Sequence, residues 1–132
     1  MDNVTKLLTQ GAAGAAGGAT YVDDVFSTYI WDGNATAGRS INNGIDFAGE
    51  GGAIWIKSRN YGWSHRFWDT TRGATKFLYT GETHAEDTDV SGAANMLTSF
   101  DSNGVTLGQD SNAGGSNYPN TNYISWSFRK AP

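Results

Sequence analysis

Asn122-Tyr123-Ile124-Ser125-Trp126-Ser127-Phe128-Arg129-Lys130-Ala131 alternates large apolar side chains with small or polar ones. Ile124, Trp126 and Phe128 project to one side of an extended chain, and Tyr123, Ser125 and Ser127 to the other. This is the two-residue period of a strand with one buried face, and hydrophobicity assigns the Ile-Trp-Phe side to the interior. A buried aromatic strand so late in the sequence needs partners upstream. The fold is therefore expected to close over the whole chain.

Similar short runs recur upstream between turn residues. Strands are expected at 25–31, 39–42, 44–47, 53–57, 64–69, 75–80, 97–100, 104–107 and 123–129. Asp32-Gly33-Asn34 ends the first run. Asn42-Asn43-Gly44 and Asp101-Ser102-Asn103-Gly104 read as hairpin turns in which glycine takes the positive φ. Within 53–57, Ile54 and Ile56 share one face and Trp55 the other, whereas 25–31 carries aromatics on both. Residues 81–96 form an acidic, irregular excursion, and 108–121 a polar Gly/Asn/Ser loop. Frequent turns and no fixed-period repeat predict an all-β chain, an antiparallel β-sandwich of jelly-roll or concanavalin-like type over 21–132.

Bulk composition agrees. The 132 residues suit one domain, and 18 Gly are too many for a helical protein. Five Trp, six Tyr and six Phe supply the burial instead. With no Cys, disulfides and zinc–thiolate sites are excluded. No apolar run nears the ~20 residues of a membrane-spanning helix, and the first residues lack the basic and apolar regions of a signal peptide. A net charge of −4 without a Lys/Arg stripe argues against nucleic acid as a partner.

Residues 1–20 differ from the rest. Val4, Leu7 and Leu8 fall at helical spacing in a short head, and 10–19 are a Gly/Ala linker. So short an amphipathic segment needs a surface to lie on, which makes Val4, Leu7 and Leu8 candidate anchor residues toward a partner.

No catalytic constellation is present. Glycoside hydrolysis needs two carboxylates across a cleft, but Glu50, Glu82, Glu86, Asp87 and Asp89 lie in loops and no strand carries an alternating acidic motif. There is no Gly-x-Ser-x-Gly, and His65 and His84 are too few and too far apart for zinc. Glu82, Glu86, Asp87 and Asp89 could offer oxygens to calcium. Asp101-x-Asn103-Gly104, by contrast, lacks the acidic twelfth position of a calcium loop, where Asn112 stands. No cofactor or metal and no enzyme activity are expected. Sugars stack on exposed aromatics flanked by polar groups. Tyr61, Trp63 and Tyr118 are the candidate glycan-binding residues, with Trp68 and Tyr79 as further aromatics near loops. Burial in the core or in a subunit interface explains the same residues.

Four patches in combination resemble a known family. They are Asn43-Gly44-Ile45-Asp46-Phe47-Ala48-Gly49-Glu50-Gly51-Gly52 with Trp55-Ile56-Lys57; Asp69-Thr70-Thr71-Arg72-Gly73; Ser99-Phe100-Asp101-Ser102-Asn103-Gly104 with Leu107-Gly108; and Tyr123 to Pro132. Over roughly 24–132 the chain resembles a domain of virion structural and tail-fibre proteins of tailed bacteriophages, similar to concanavalin/laminin-G-type sandwiches. Relatives often continue beyond the Arg-Lys-Ala-Pro stretch into further β domains, so a small virion protein and one domain of a longer fibre both fit. The resemblance implies location in the virion, other tail or capsid proteins as partners, and homo-oligomerisation, with a trimer favoured for a fibre. It brings no catalytic motif. Recognition of a host-surface glycan is the alternative expectation.

Overall fold

In the computed structural model, residues 20–89 and 95–131 are described. The expected arm, with Val4, Leu7 and Leu8, lies outside the described residues. Nine antiparallel strands among these residues form two sheets. They are β1 (Phe26–Asp32), β2 (Arg39–Asn42), β3 (Gly52–Ser58), β4 (Arg66–Asp69), β5 (Lys76–Tyr79), β6 (Asp87–Thr88), β7 (Leu97–Asp101), β8 (Gly104–Leu107) and β9 (Asn122–Arg129). The larger sheet has the order β1-β9-β3-β4-β5-β6, and the smaller β2-β8-β7. The two pack as a sandwich, as the all-β expectation required.

β9 lies between β1 and β3. Trp126 faces Thr28 on one side and Trp55 on the other. Its polarity is the reverse of the expectation. Tyr123, Ser125 and Ser127 are fully buried between the sheets, whereas Ile124 and Trp126 are half-buried and Phe128 is exposed on the outer side. Space decides this inversion. The interior is filled from neighbouring strands by Ile54, Ile56, Trp68, Ile41, Val105 and Leu107, and small serines on the central strand let those groups meet. Tyr123 is the large exception, stacked on Trp31 at 5.5 Å. Ser127 keeps its hydroxyl satisfied by accepting from Asn43 Nδ2 at 2.8 Å.

Two expected strands give way to helical turns at one end. Val22–Val25 (α1) is closed by the Asp24 carboxylate, which accepts from the Tyr21 N–H at 3.0 Å, so β1 starts only at Phe26. The 44–47 strand is absent. Asp46 accepts from Gly49 N–H at 2.7 Å and caps Phe47–Glu50 (α2). The expected hairpin at Asn42-Asn43-Gly44 does not form, because β2 pairs with β8 far along the chain. The Asp101–Gly104 turn does join β7 to β8. Gly104 is required there: at φ +140° a Cβ would stand 1.9 Å from the Ile41 carbonyl oxygen. At the corner after β4, the Arg72 guanidinium pairs with Asp69 and also bonds Glu86 at 3.0 Å, tying the corner to the acidic excursion.

Candidate functional site

The strand inversion gives the larger sheet an apolar outer face. Pairing register places Phe26, Phe128 and Ala53 in one row, Thr28, Trp126, Trp55, Phe67 and Leu78 in the next, and Ile30, Ile124 and Lys57 in a third. The rings touch, with Phe26–Phe128 centroids 5.2 Å apart and Trp55–Trp126 5.0 Å apart. Ile30 remains 59% and Phe128 44% exposed. Two charged side chains stand in these rows: Asp69, opposite Ala53 in the first row and paired with Arg72, and Lys57, whose ammonium turns to the Ser58 carbonyl at 2.9 Å. β1 ends this sheet with no described strand beyond it.

At another place the fold brings Tyr118 to the closely spaced pair Tyr61 and Trp63, far upstream in sequence. Tyr61 and Trp63 stack at 4.7 Å with 9° between planes, and Tyr118 meets Trp63 edge-on at 4.9 Å. Gly114 makes room for this cluster, since a Cβ there would stand 2.4 Å from the Trp63 ring. One face of Trp63 is therefore covered by Tyr61, and Tyr61, 46% exposed, offers the free ring. Of the further aromatics, Trp68 is fully buried in the core and Tyr79 half-buried against Phe77 at 5.2 Å. Trp68 is therefore no surface residue: its place on β4 alternates inward with Arg66.

The cluster rests on the 108–121 segment, which is a buried polar plug where composition suggested a solvated loop. Asp110 is fully buried. Its Oδ1 accepts from Gly114 N–H at 2.9 Å, and its Oδ2 from Ser116 N–H at 2.7 Å and Asn117 N–H at 2.8 Å. Burial pushes the Asp110 pKa up, and those N–H groups oppose the rise. Asn117 donates to the carbonyls of Thr36 and Gly108, at 3.0 and 2.9 Å. The Tyr123 phenol donates to the Gly114 carbonyl at 3.0 Å and accepts from Tyr118 N–H at 3.2 Å. Burial, with the Asp110 charge behind it, raises the Tyr123 pKa. The segment is thus held as rigidly as the strands.

The acidic excursion disperses its carboxylates. Glu82 pairs with His84 at 3.3 Å, Glu86 with Arg72 and Lys76, and Asp87 accepts from the Tyr79 hydroxyl at 3.1 Å. Asp89 turns inward and is 7% exposed. Among the described residues no three His or carboxylate side chains come together as metal ligands.

The sequence profile of one family, described as "Domain of unknown function (DUF7483)", matches residues 22–132. The chain belongs to this family. The matched stretch begins with α1 and takes in all nine strands, so the DUF7483 domain coincides with the sandwich. No curated protein and no solved structure matches the chain.

Sequence reasoning missed the outer face and the inward polar residues of this DUF7483 domain. The period of β9 was plain, but hydrophobicity alone chose the wrong side. Asp110 and Asn117 carried one faint signal, their setting among Gly and Ser where side chains bond to backbone.

Proposed function

We propose that the protein is a structural component of a tailed-phage virion, of tail-fibre or appendage type, attached to other virion proteins through residues 1–20. In this reading the sandwich self-associates through its outer aromatic face. The observation that carries the reading is that face, mostly apolar and bordered by β1, the last described strand of the sheet; the four sequence patches support the phage context. Five strands spaced about 4.8 Å apart and rows of about 3.3 Å per residue give it roughly 400 Å². A stable interface buries about 800 Å² per partner, so contact must extend beyond the face. A three-fold ring meets this need, because each copy offers its face to one neighbour and its β1 edge to the other.

Light scattering on the full chain tests the assembly. A trimer mass for the wild type and a monomer mass for Ile30→Glu/Phe128→Glu are expected. A wild type that stays monomeric at every concentration refutes self-association by this face.

A second reading, a module that recognises host-surface glycans, is favoured by the convergence of Tyr61, Trp63 and Tyr118. Tyr61→Ala, which removes the exposed ring, would abolish binding to surface polysaccharide while leaving the unfolding midpoint nearly unchanged. Equal binding by wild type and variant would exclude this cluster.

A further inference from the structure

The larger sheet has six strands and the smaller three, so the inner side of β4–β6 extends past its cover. A cleft of about 150 Å³ opens there, lined by Arg66, Phe77, Tyr79, Asp87, Asp89 and Met96. It exceeds the ~30 Å³ share of one water and falls below the ~300 Å³ of a drug-sized pocket. One ring of a small molecule fits that interval.

Its wall holds two buried charges whose hydrogen bonding is incomplete. Arg66 is 8% exposed. One terminal nitrogen donates to the Ser64 carbonyl at 3.4 Å and the other to the Ala113 carbonyl at 3.2 Å. Its Nε–H has no partner among the described residues. Asp89 Oδ2 accepts from the N–H groups of Met96 and Leu97, while Oδ1 has no partner among the described residues. A buried donor and a buried acceptor thus lack partners on two residues that line the same cleft, and an unmade buried hydrogen bond is costly. The guanidinium carbon lies over the Phe77 and Tyr79 rings, 5.5 and 5.4 Å from their centres, and Thr88, Met96 and Ala113 complete the lining.

These features select the ligand. An anion would meet Asp87 and Asp89, and a cation would meet Arg66. A neutral hydroxyl group both donates and accepts, and the face of a sugar ring suits aromatic walls. We propose that the cleft binds one saccharide residue, with a hydroxyl accepting from Arg66 Nε–H, another donating to Asp89 Oδ1, and the ring lying against the half-buried Tyr79. The two open atoms are closed to bulk solvent. The ligand therefore reaches them by displacing the Met96 thioether, an unbranched and adaptable side chain. Gly115 sets where that side chain lies, since a Cβ there would stand 2.1 Å from Met96 Sδ. The inference is independent of assembly through the outer face and of stacking at Tyr61.

Methyl glycosides of glucose, galactose, mannose and N-acetylglucosamine, titrated into the labelled full chain, test it by NMR. The chain has two methionines, so the Met96 methyl signal is readily assigned, and the Arg66 Nε–H signal reports the proposed bond. Saturable shifts of both signals with at least one glycoside are expected. Affinity should fall about tenfold in Asp89→Asn, which loses a charged acceptor, and should persist in Tyr61→Ala and in Ile30→Glu/Phe128→Glu. No saturable shift with any glycoside would overturn the proposal. So would equal shifts with glycerol, which would mean solvation only, or undiminished affinity in Asp89→Asn.

Discussion

Asp110→Ala is the most informative perturbation of the polar plug. The substitution deprives three buried N–H groups, those of Gly114, Ser116 and Asn117, of their acceptor. Each orphaned donor costs about 1–3 kcal/mol. Burial already disfavours the Asp110 charge, which offsets part of the loss. A net destabilisation on the order of 3–5 kcal/mol follows, a large share of the ~5–15 kcal/mol that holds a typical domain together. Asp110→Asn separates the two effects. Its single oxygen can serve the Ser116 and Asn117 N–H groups, but its amide then faces the Gly114 N–H, and no charge is buried. The Gly114 N–H is orphaned, costing about 1–3 kcal/mol, and the two amide N–H donors of Asn face it with no acceptor, so this variant is destabilised as well. Urea unfolding followed by tryptophan fluorescence measures both variants, and an unchanged slope would show that the unfolded state is the same. Asp110→Ala within about 1 kcal/mol of wild type would refute the account.

Other consequences are equally direct. Burial raises the Asp89 pKa from 3.8 to about 6 and also raises that of Asp110. The folded state thus takes up protons at a higher pH than the unfolded chain. Stability should therefore rise as pH falls from 7 to 5, visible as a higher urea midpoint, and Asp89→Asn should show a smaller gain. Ser125 is fully buried, and its hydroxyl has no partner among the described residues. Ser125→Ala should be neutral or stabilising, by up to about 1 kcal/mol. Ser127→Ala strands the Asn43 amide and should destabilise by about 1–3 kcal/mol in the same assay.

Much of the sandwich was legible because its strands are short, turn-bounded and alternating. Arg39–Asn42 and Gly104–Leu107 appear as read, and Ile54 and Ile56 share one face as their period required, a face that proves to be the inner one. Periodicity names two faces, however, and does not say which is inside. In β9 the answer depends on how much volume the neighbouring strands bring, which no local window contains. Partner choice was hidden for the same reason: β2 is followed by a good turn signal yet pairs with β8. The aromatic cluster was half legible. The residues were named, but their convergence comes from a buried plug whose composition matches that of a solvated loop.

β9 sits inside the larger sheet, between the first strand of the domain and the third. During synthesis, β1 and β3 leave the ribosome long before the strand that must join them. Until residue 129 has cleared the exit tunnel, the sheet lacks its centre, and Phe26, Ile30 and Trp55 wait beside open strand edges. Nascent chains of this kind are aggregation-prone, and sheets built from distant pairings fold slowly. A stop codon a few residues before β9 would therefore cut β1 off from β3–β6, whereas a loss of similar length from the acidic excursion would remove only the two-residue edge strand β6.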